Sequence, residues 1–140
     1  MEIEVRYFTR TGNTGKLAAA IADAVGTEAK DVSVPLTKQT DILFLGSSVY
    51  AAGVDDAVST FIRENAAQIG TLVNFSTAAI LSSTYKQVKK LADGMGISMA
   101  EEEFHCRGAF SVMHRNRPNE ADLKNAASFA KTVVKKLGND

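Results

Sequence analysis

Apolar residues along the chain fall into short runs divided by polar, glycine-containing stretches, and their spacing switches between the strand period and the helix period. Ile3 to Phe8 mixes β-branched and aromatic residues and then breaks into Thr9-Arg10-Thr11-Gly12-Asn13-Thr14-Gly15, which predicts a strand ending in a polar loop. From Asn13 to Val25 the residues Leu17, Ala20, Ile21, Ala24 and Val25 recur at helical spacing, with Gly26 at the expected helix stop. Asp31 to Val34 is a short alternating piece halted by Pro35, whereas Asp41 to Gly46 is a continuous apolar run of the kind buried on both faces of a sheet. A second polar loop, Ser47 to Asp56, leads into a helix carrying Ala57, Val58, Phe61 and Ile62 and reaching about Ala67. Thr71 to Ala79 predicts a further strand that runs into the small residues Ser76 to Ala79. It is followed by a helix with Val88, Leu91 and Ala92 on one side, ended by Gly94 and Gly96. Glu103 to Phe110 predicts a fifth strand, Ser111 to Asn119 a basic loop, and Ala121 to Leu137 a last amphipathic helix.

Strands alternating with helices require a parallel sheet, because right-handed crossovers place helices over both of its faces. The expected fold is therefore α/β, a doubly wound three-layer sandwich with a five-stranded parallel sheet and helices on both faces, formed by residues 1–140 as a single domain. Ligands of such sheets bind beyond the carboxyl ends of the strands, where the strand order reverses, so the loops after the first, third and fourth strands should meet.

Composition narrows the function. At 140 residues, 45% hydrophobic and 23% charged, the chain has the make-up of one globular domain. Sixteen Lys and Arg balance sixteen Asp and Glu, so no global field holds nucleic acid or an anionic membrane. No apolar run approaches the roughly 20 residues of a bilayer span, Met1-Glu2-Ile3-Glu4 does not open like a secretion signal, and Cys106 is the only cysteine. The expectation is a cytoplasmic protein that binds neither nucleic acid nor membrane.

The first loop carries the clearest chemistry. Thr9, Arg10, Thr11, Gly12, Asn13 and Thr14 bring three hydroxyls, an amide side chain and free backbone N–H groups to the start of a helix, where the macrodipole favours an anion. A phosphate suits this set without a lysine. A nucleoside-triphosphate loop is ruled out, since Arg10 stands where its first glycine belongs and Leu17 where its hydroxyl belongs. The G-x-G-x-x-G dinucleotide pattern fails at its first position. A phosphoacceptor receiver domain needs clustered aspartates at the strand ends, but Tyr7-Phe8-Thr9 and Leu45-Gly46-Ser47 stand there.

Thr9 to Thr14 meets the pattern [ST]-x-T-G-x-T in full, and in this the sequence resembles the flavodoxin family. Gly46 to Gly53 is similar to that family's first flavin-flanking loop, and Phe75 to Ala79 to its second, so the resemblance covers nearly the whole chain. It implies the strand order 2-1-3-4-5 and FMN as cofactor. Thr9 to Thr14 would bind the FMN phosphate, Ser48 would lie near the phosphate or ribityl chain, and Ser47 and Val49 beside it would also belong to the cofactor site. Tyr50 would stack on the isoalloxazine, and Ala51, Ala52, Gly53, Ser76, Thr77, Ala78 and Ala79 would line the ring. The implied function is electron shuttling between redox partner proteins, a reductase and an acceptor, with a small FMN-dependent NAD(P)H or quinone oxidoreductase as the alternative. Two features depart from the family: dedicated carriers are usually strongly acidic whereas this chain is neutral, and Ala51-Ala52 precede Gly53 where a glycine often flanks the flavin.

Other reactive residue types are expected to be structural. Cys106 should be a small buried strand residue. His105 and His114 show no carboxylate or thiol at ligand spacing, so no metal site is expected. Glu101-Glu102-Glu103 reads as a solvated strand entrance, and Arg107, His114, Arg115 and Arg117 as a locally basic loop.

Overall fold

The computed structural model describes residues 1–48, 54–78, 83–108 and 116–138. In chain order it contains β1 (Ile3–Tyr7), α1 (Asn13–Val25), β2 (Ala29–Asp31), β3 (Thr40–Ser48) and α2 (Asp56–Asn65), the last followed by a 3-10 turn at Ala66–Gln68. The remainder is β4 (Ile69–Ala78), α3 (Tyr85–Gly94), β5 (Ser98–Arg107) and α4 (Glu120–Gly138). All strand pairs are parallel, as the alternation of elements predicts, and the sheet order β2-β1-β3-β4-β5 is the one the family resemblance implies.

Two apolar cores follow from the alternation of side chains across the sheet. Val5, Ile42, Phe44, Val73 and Phe75 face α1 and α4, where Leu17, Ile21, Ala126, Ala130 and Val133 meet them. Leu43, Leu45 and Leu72 face α2 and α3 and pack on Val58, Phe61, Ile62, Val88 and Ala92. Fully burying a side chain such as Leu17 or Ile62 contributes about 1.5–3 kcal/mol, so these two layers supply the main drive for folding.

Two strands differ from the sequence expectation. The second strand is Ala29–Asp31 and not Asp31 to Val34. Asp31 closes a turn, accepting from the Ser33 amide on Oδ1 at 2.8 Å and from the Val34 amide on its carbonyl at 3.0 Å. Arg6 then claims the next carbonyls: its Nε donates to Val34 O at 2.8 Å and an Nη donates to Pro35 O at 3.2 Å. Val32 and Leu36, whose apolar character suggested a strand, are buried from irregular chain. The fifth strand begins at Ser98, five residues ahead of Glu103, and the acidic run lies inside it. Its register explains why: Leu72 pairs with Met99 and Asn74 with Glu103, so Ala100, Glu101 and Glu102 oppose Val73 alone. An irregular edge strand with an outward face tolerates charge, which hides its strand character. Smaller extensions place Ser47 and Ser48 at the end of β3, not in a loop, and start β4 at Ile69.

Asn119 and Asp122 cap α4 reciprocally, the Asn119 amide donating to Asp122 Oδ2 at 2.8 Å and the Asp122 amide to Asn119 Oδ1 at 2.9 Å. Arg117 grips the same carboxylate through Nε and an Nη at 2.5 and 2.8 Å, and this pairing holds the Asp122 carboxyl below its ordinary value.

Arg6 is only 2% exposed, and its charge is balanced by Glu4 at 2.7 Å. Arg6→Met keeps the aliphatic stem but strands Glu4 and two carbonyls, which should cost about 3 kcal/mol. The expected result is a lower urea midpoint with unchanged slope; a midpoint equal to that of the wild type would show that Arg6 does not secure this connection.

Candidate functional site

The site is built on the carboxyl ends of β1, β3 and β4. Beyond Tyr7 the chain stays on the sheet for one residue, the Phe8 amide donating to Gly46 O at 3.0 Å, and then turns through Thr9 to Gly12. Thr9 shapes the turn by accepting the Gly12 amide on Oγ1 at 2.9 Å. Gly12 sits at φ +90°, where a side chain is strained, although a Cβ there would meet nothing within 4 Å. Helix α1 starts at the next residue with no side chain capping it. Its first hydrogen bond runs from the Lys16 amide to Gly12 O at 3.2 Å. The amides ahead of Lys16 therefore precede the helical ladder, next to the exposed Thr11 and the half-buried Thr9. No threonine caps this helix, and its positive dipole end faces the turn.

Arg10 reaches across this loop to Asp55, 2.5 Å from Oδ2. Asp55 is the N-cap of α2, accepting the Ala57 amide at 3.0 Å. That backbone N–H, and after it the Arg10 guanidinium, holds the Asp55 carboxyl below its ordinary value of 3.8. The pair links the first loop to the helix that follows the second.

Thr14 does not face solvent. It is fully buried, and its Oγ1 lies 2.5 Å from Ser48 Oγ and 2.9 Å from Thr77 Oγ1, while Ser48 and Thr77 are 3.1 Å apart. Three predicted site residues from three elements thus close a triangle of hydroxyls on the α1 face. Glycines make room for it. A Cβ on Gly46 would stand 2.3 Å from the Phe75 ring and 2.9 Å from Thr14 Cγ2, and one on Gly108 would stand 3.0 Å from Thr77 Cβ and 3.1 Å from Asn13 Nδ2.

Ser47 and Ser76, one residue earlier on each strand, point to the opposite face. Ser47 Oγ donates to Thr84 Oγ1 at 2.9 Å, and Ser76 Oγ accepts the Thr84 amide at 3.3 Å. Asn13 and Ala78 are buried at the same strand ends, and the Ala78 carbonyl accepts from the Gly108 amide at 3.4 Å. Val49, Tyr50, Ala51, Ala52, Gly53 and Ala79 lie outside the described residues. Sequence reasoning missed Asn74, Thr84, Asp55 and Gly108. Asn74 carried a signal, since an asparagine between Val73 and Phe75 in an apolar strand must find buried partners.

A cleft of about 400 Å³ opens between the first turn of α3 and β5, lined among others by Ser83, Gln87, Glu103 and His105. Glu103 accepts from Ser83 Oγ at 2.5 Å, and its other oxygen is 2.6 Å from His105 Nδ1, so His105 does have a carboxylate neighbour, contrary to expectation. No three metal-ligating side chains gather among the described residues. Cys106 is partly buried, and desolvation pushes its thiol up to about 12, which keeps it protonated and unreactive near neutral pH. No helix among the described residues is long and apolar enough to cross a membrane.

Known proteins share this fold. A family model described as a flavodoxin domain matches residues 5–108. An uncharacterised protein of Methanocaldococcus jannaschii is 27% identical over 137 residues, covering 88% of this chain and 91% of its own. Among solved structures, a flavodoxin from the domain Archaea superposes with a TM-score of 0.81 at 15% identity, covering 99% of both chains. Oxidised flavodoxin 1 from Bacillus cereus gives 0.71 at 16% identity over 96% of this chain and 98% of its own.

Asp55→Asn tests the link between the loops, because asparagine still caps a helix but cannot pair with Arg10. The pair is partly exposed, so the loss at neutral pH should be below about 1 kcal/mol. The wild-type carboxyl is depressed in the folded state, so its contribution is complete above 3.8 and is lost as pH falls through the lower folded value. The melting-temperature gap between wild type and variant should therefore close in strong acid; a gap that persists there would assign the effect to something other than the ion pair.

Proposed function

The chain belongs to the flavodoxin family, and we propose that it binds FMN across the carboxyl ends of β1, β3 and β4 and passes electrons between redox partner proteins. The observation that carries this reading is the uncapped start of α1 beside Gly12, with Thr9 and Thr11 around it and the Thr14 hydroxyl locked to β3 and β4. The donor set suits a phosphate ester: backbone N–H groups at a helix end, neutral hydroxyls, and no free carboxylate from Asp55, which is engaged by Arg10 and Ala57.

The residues divide the work. Thr9 holds the loop turned, Gly12 lets the backbone approach an oxygen, and Thr11 with the first-turn amides takes the phosphate. Thr14, Ser48 and Thr77 keep the strand ends in fixed relation. Tyr50, carried over from the family pattern, stacks on the ring, and a flat aromatic contact of this kind adds about 0.5–1.5 kcal/mol beyond burial. Backbone groups of Ala51 to Gly53 and of Ser76 to Ala79 line the polar edge of the ring. FMN, when bound, supplies the electron-transfer chemistry, so no catalytic acid or base is needed from the chain. The partners are a reductase and an acceptor protein; neither nucleic acid nor membrane enters the role.

Thr11→Val should weaken FMN about tenfold, the scale of one hydrogen bond to a charged group, and leave riboflavin unchanged, because only FMN carries the phosphate. Quenching of flavin fluorescence measures both. Equal losses for the two flavins would refute the phosphate assignment, and a protein that quenches neither would end the FMN reading. Steady NAD(P)H oxidation by the FMN-loaded protein alone would replace the carrier role with an oxidoreductase.

A further inference from the structure

The hydroxyl triangle has a counterpart on the other face of the sheet, centred on a residue outside the family's phosphate and ring motifs. Thr84 Oγ1 accepts from Ser47 Oγ at 2.9 Å and from Asn74 Nδ2 at 3.1 Å, and the Thr84 amide donates to Ser76 Oγ at 3.3 Å. Ser47, Asn74, Ser76 and Thr84 are each at most 1% exposed. Polar groups sealed from water depend on one another, so displacing one member leaves others unsatisfied.

That arrangement fixes two things at once. It ties the end of β3 to the end of β4, since Ser47 and Ser76 are register partners and Thr84 contacts both. It also recaptures the chain: β4 ends at Ala78, and six residues later Thr84 is bonded back to Asn74 and Ser76 of the same strand, directly before α3. The strand end Ser76–Ala78 is therefore held from its own two faces, by Thr14 and Ser48 through Thr77 and by Thr84 through Ser76.

We propose that Thr84 is a positioning residue for the flavin ring, holding the Ser76–Ala78 backbone where it meets the polar edge of the isoalloxazine. The inference rests on the FMN reading above and extends it to a side chain that touches no part of the phosphate loop. Its signature differs from that of Thr11. Loss of ring positioning weakens FMN and riboflavin alike, because both carry the same ring, whereas loss of a phosphate contact separates them.

The test is flavin binding by Thr84→Val, Thr84→Ser and the wild type, with FMN and riboflavin as probes and thermal melting measured alongside. Thr84→Val should weaken both flavins by the same factor, about tenfold for one buried polar network left unsatisfied. Thr84→Ser, which restores the hydroxyl, should stay within about twofold of the wild type. If Thr84→Val does not fold, Ser47→Ala removes one donor from the same hydroxyl and should weaken both flavins about threefold. Lower melting temperature with unchanged affinity for both flavins would overturn the proposal, as would a loss confined to FMN. A wild type that binds neither flavin would instead overturn the FMN reading itself, and this inference with it.

Discussion

The mutual satisfaction of Thr14, Ser48 and Thr77 is the constraint on which the site depends. Each hydroxyl is buried, and each has the other two within 3.1 Å, so moving one leaves two others unpaired away from water. The arrangement is possible because Ser48 and Thr77 are register partners at the ends of β3 and β4, and because α1 brings Thr14 over that point. A slip of one residue between the strands would turn Ser48 away and bring Ser47 into its place, exchanging the two faces. Strand register and the position of the first loop are thus decided by the same three oxygen atoms.

Close packing reinforces this. Gly46 precedes the two serines of β3, and the Phe75 ring and the Thr14 methyl crowd the space where its side chain would be. Gly108, just beyond β5, lets the backbone lie over Thr77 and Asn13 in the same way. Large aromatic volume therefore abuts the polar cluster on its inner side, which keeps water out and raises the cost of breaking any of its hydrogen bonds. Arg10 and Asp55 act on the outer side, where solvent weakens their attraction, and there they orient the loop more than they stabilise the fold.

The alternating elements and the parallel sheet were legible because they rest on periodicity and on the sterics of parallel crossovers, and the strand order followed from the family resemblance. The turn from β1 into α1 was legible because Gly12 among hydroxyls interrupts the apolar pattern directly before a helical run. The second strand was misread for a specific reason: Val32 and Leu36 are buried by irregular chain whose carbonyls are satisfied by Arg6, a partner 28 and 29 residues away from those it bonds, and no local pattern reports it. The early part of β5 was hidden because an edge strand with unpaired residues opposite Val73 tolerates glutamates that a central strand would exclude. Thr84 was invisible for another reason. A threonine before a helix reads as a surface cap, and only the fold brings Asn74, Ser76 and Ser47 around it.

Beside His105 and Arg107 on β5, the polar chemistry among the described residues at the ends of β3 and β4 is made of hydroxyls, an amide side chain and backbone N–H groups. None of these titrates near neutral pH, so the field they present is set by geometry and not by protonation. The charged groups nearby, Arg10 with Asp55 and Arg117 with Asp122, are already paired, and each carboxyl is held ionised by its partners. Backbone N–H groups at a helix start and hydroxyls held in one arrangement form a neutral donor set of fixed geometry.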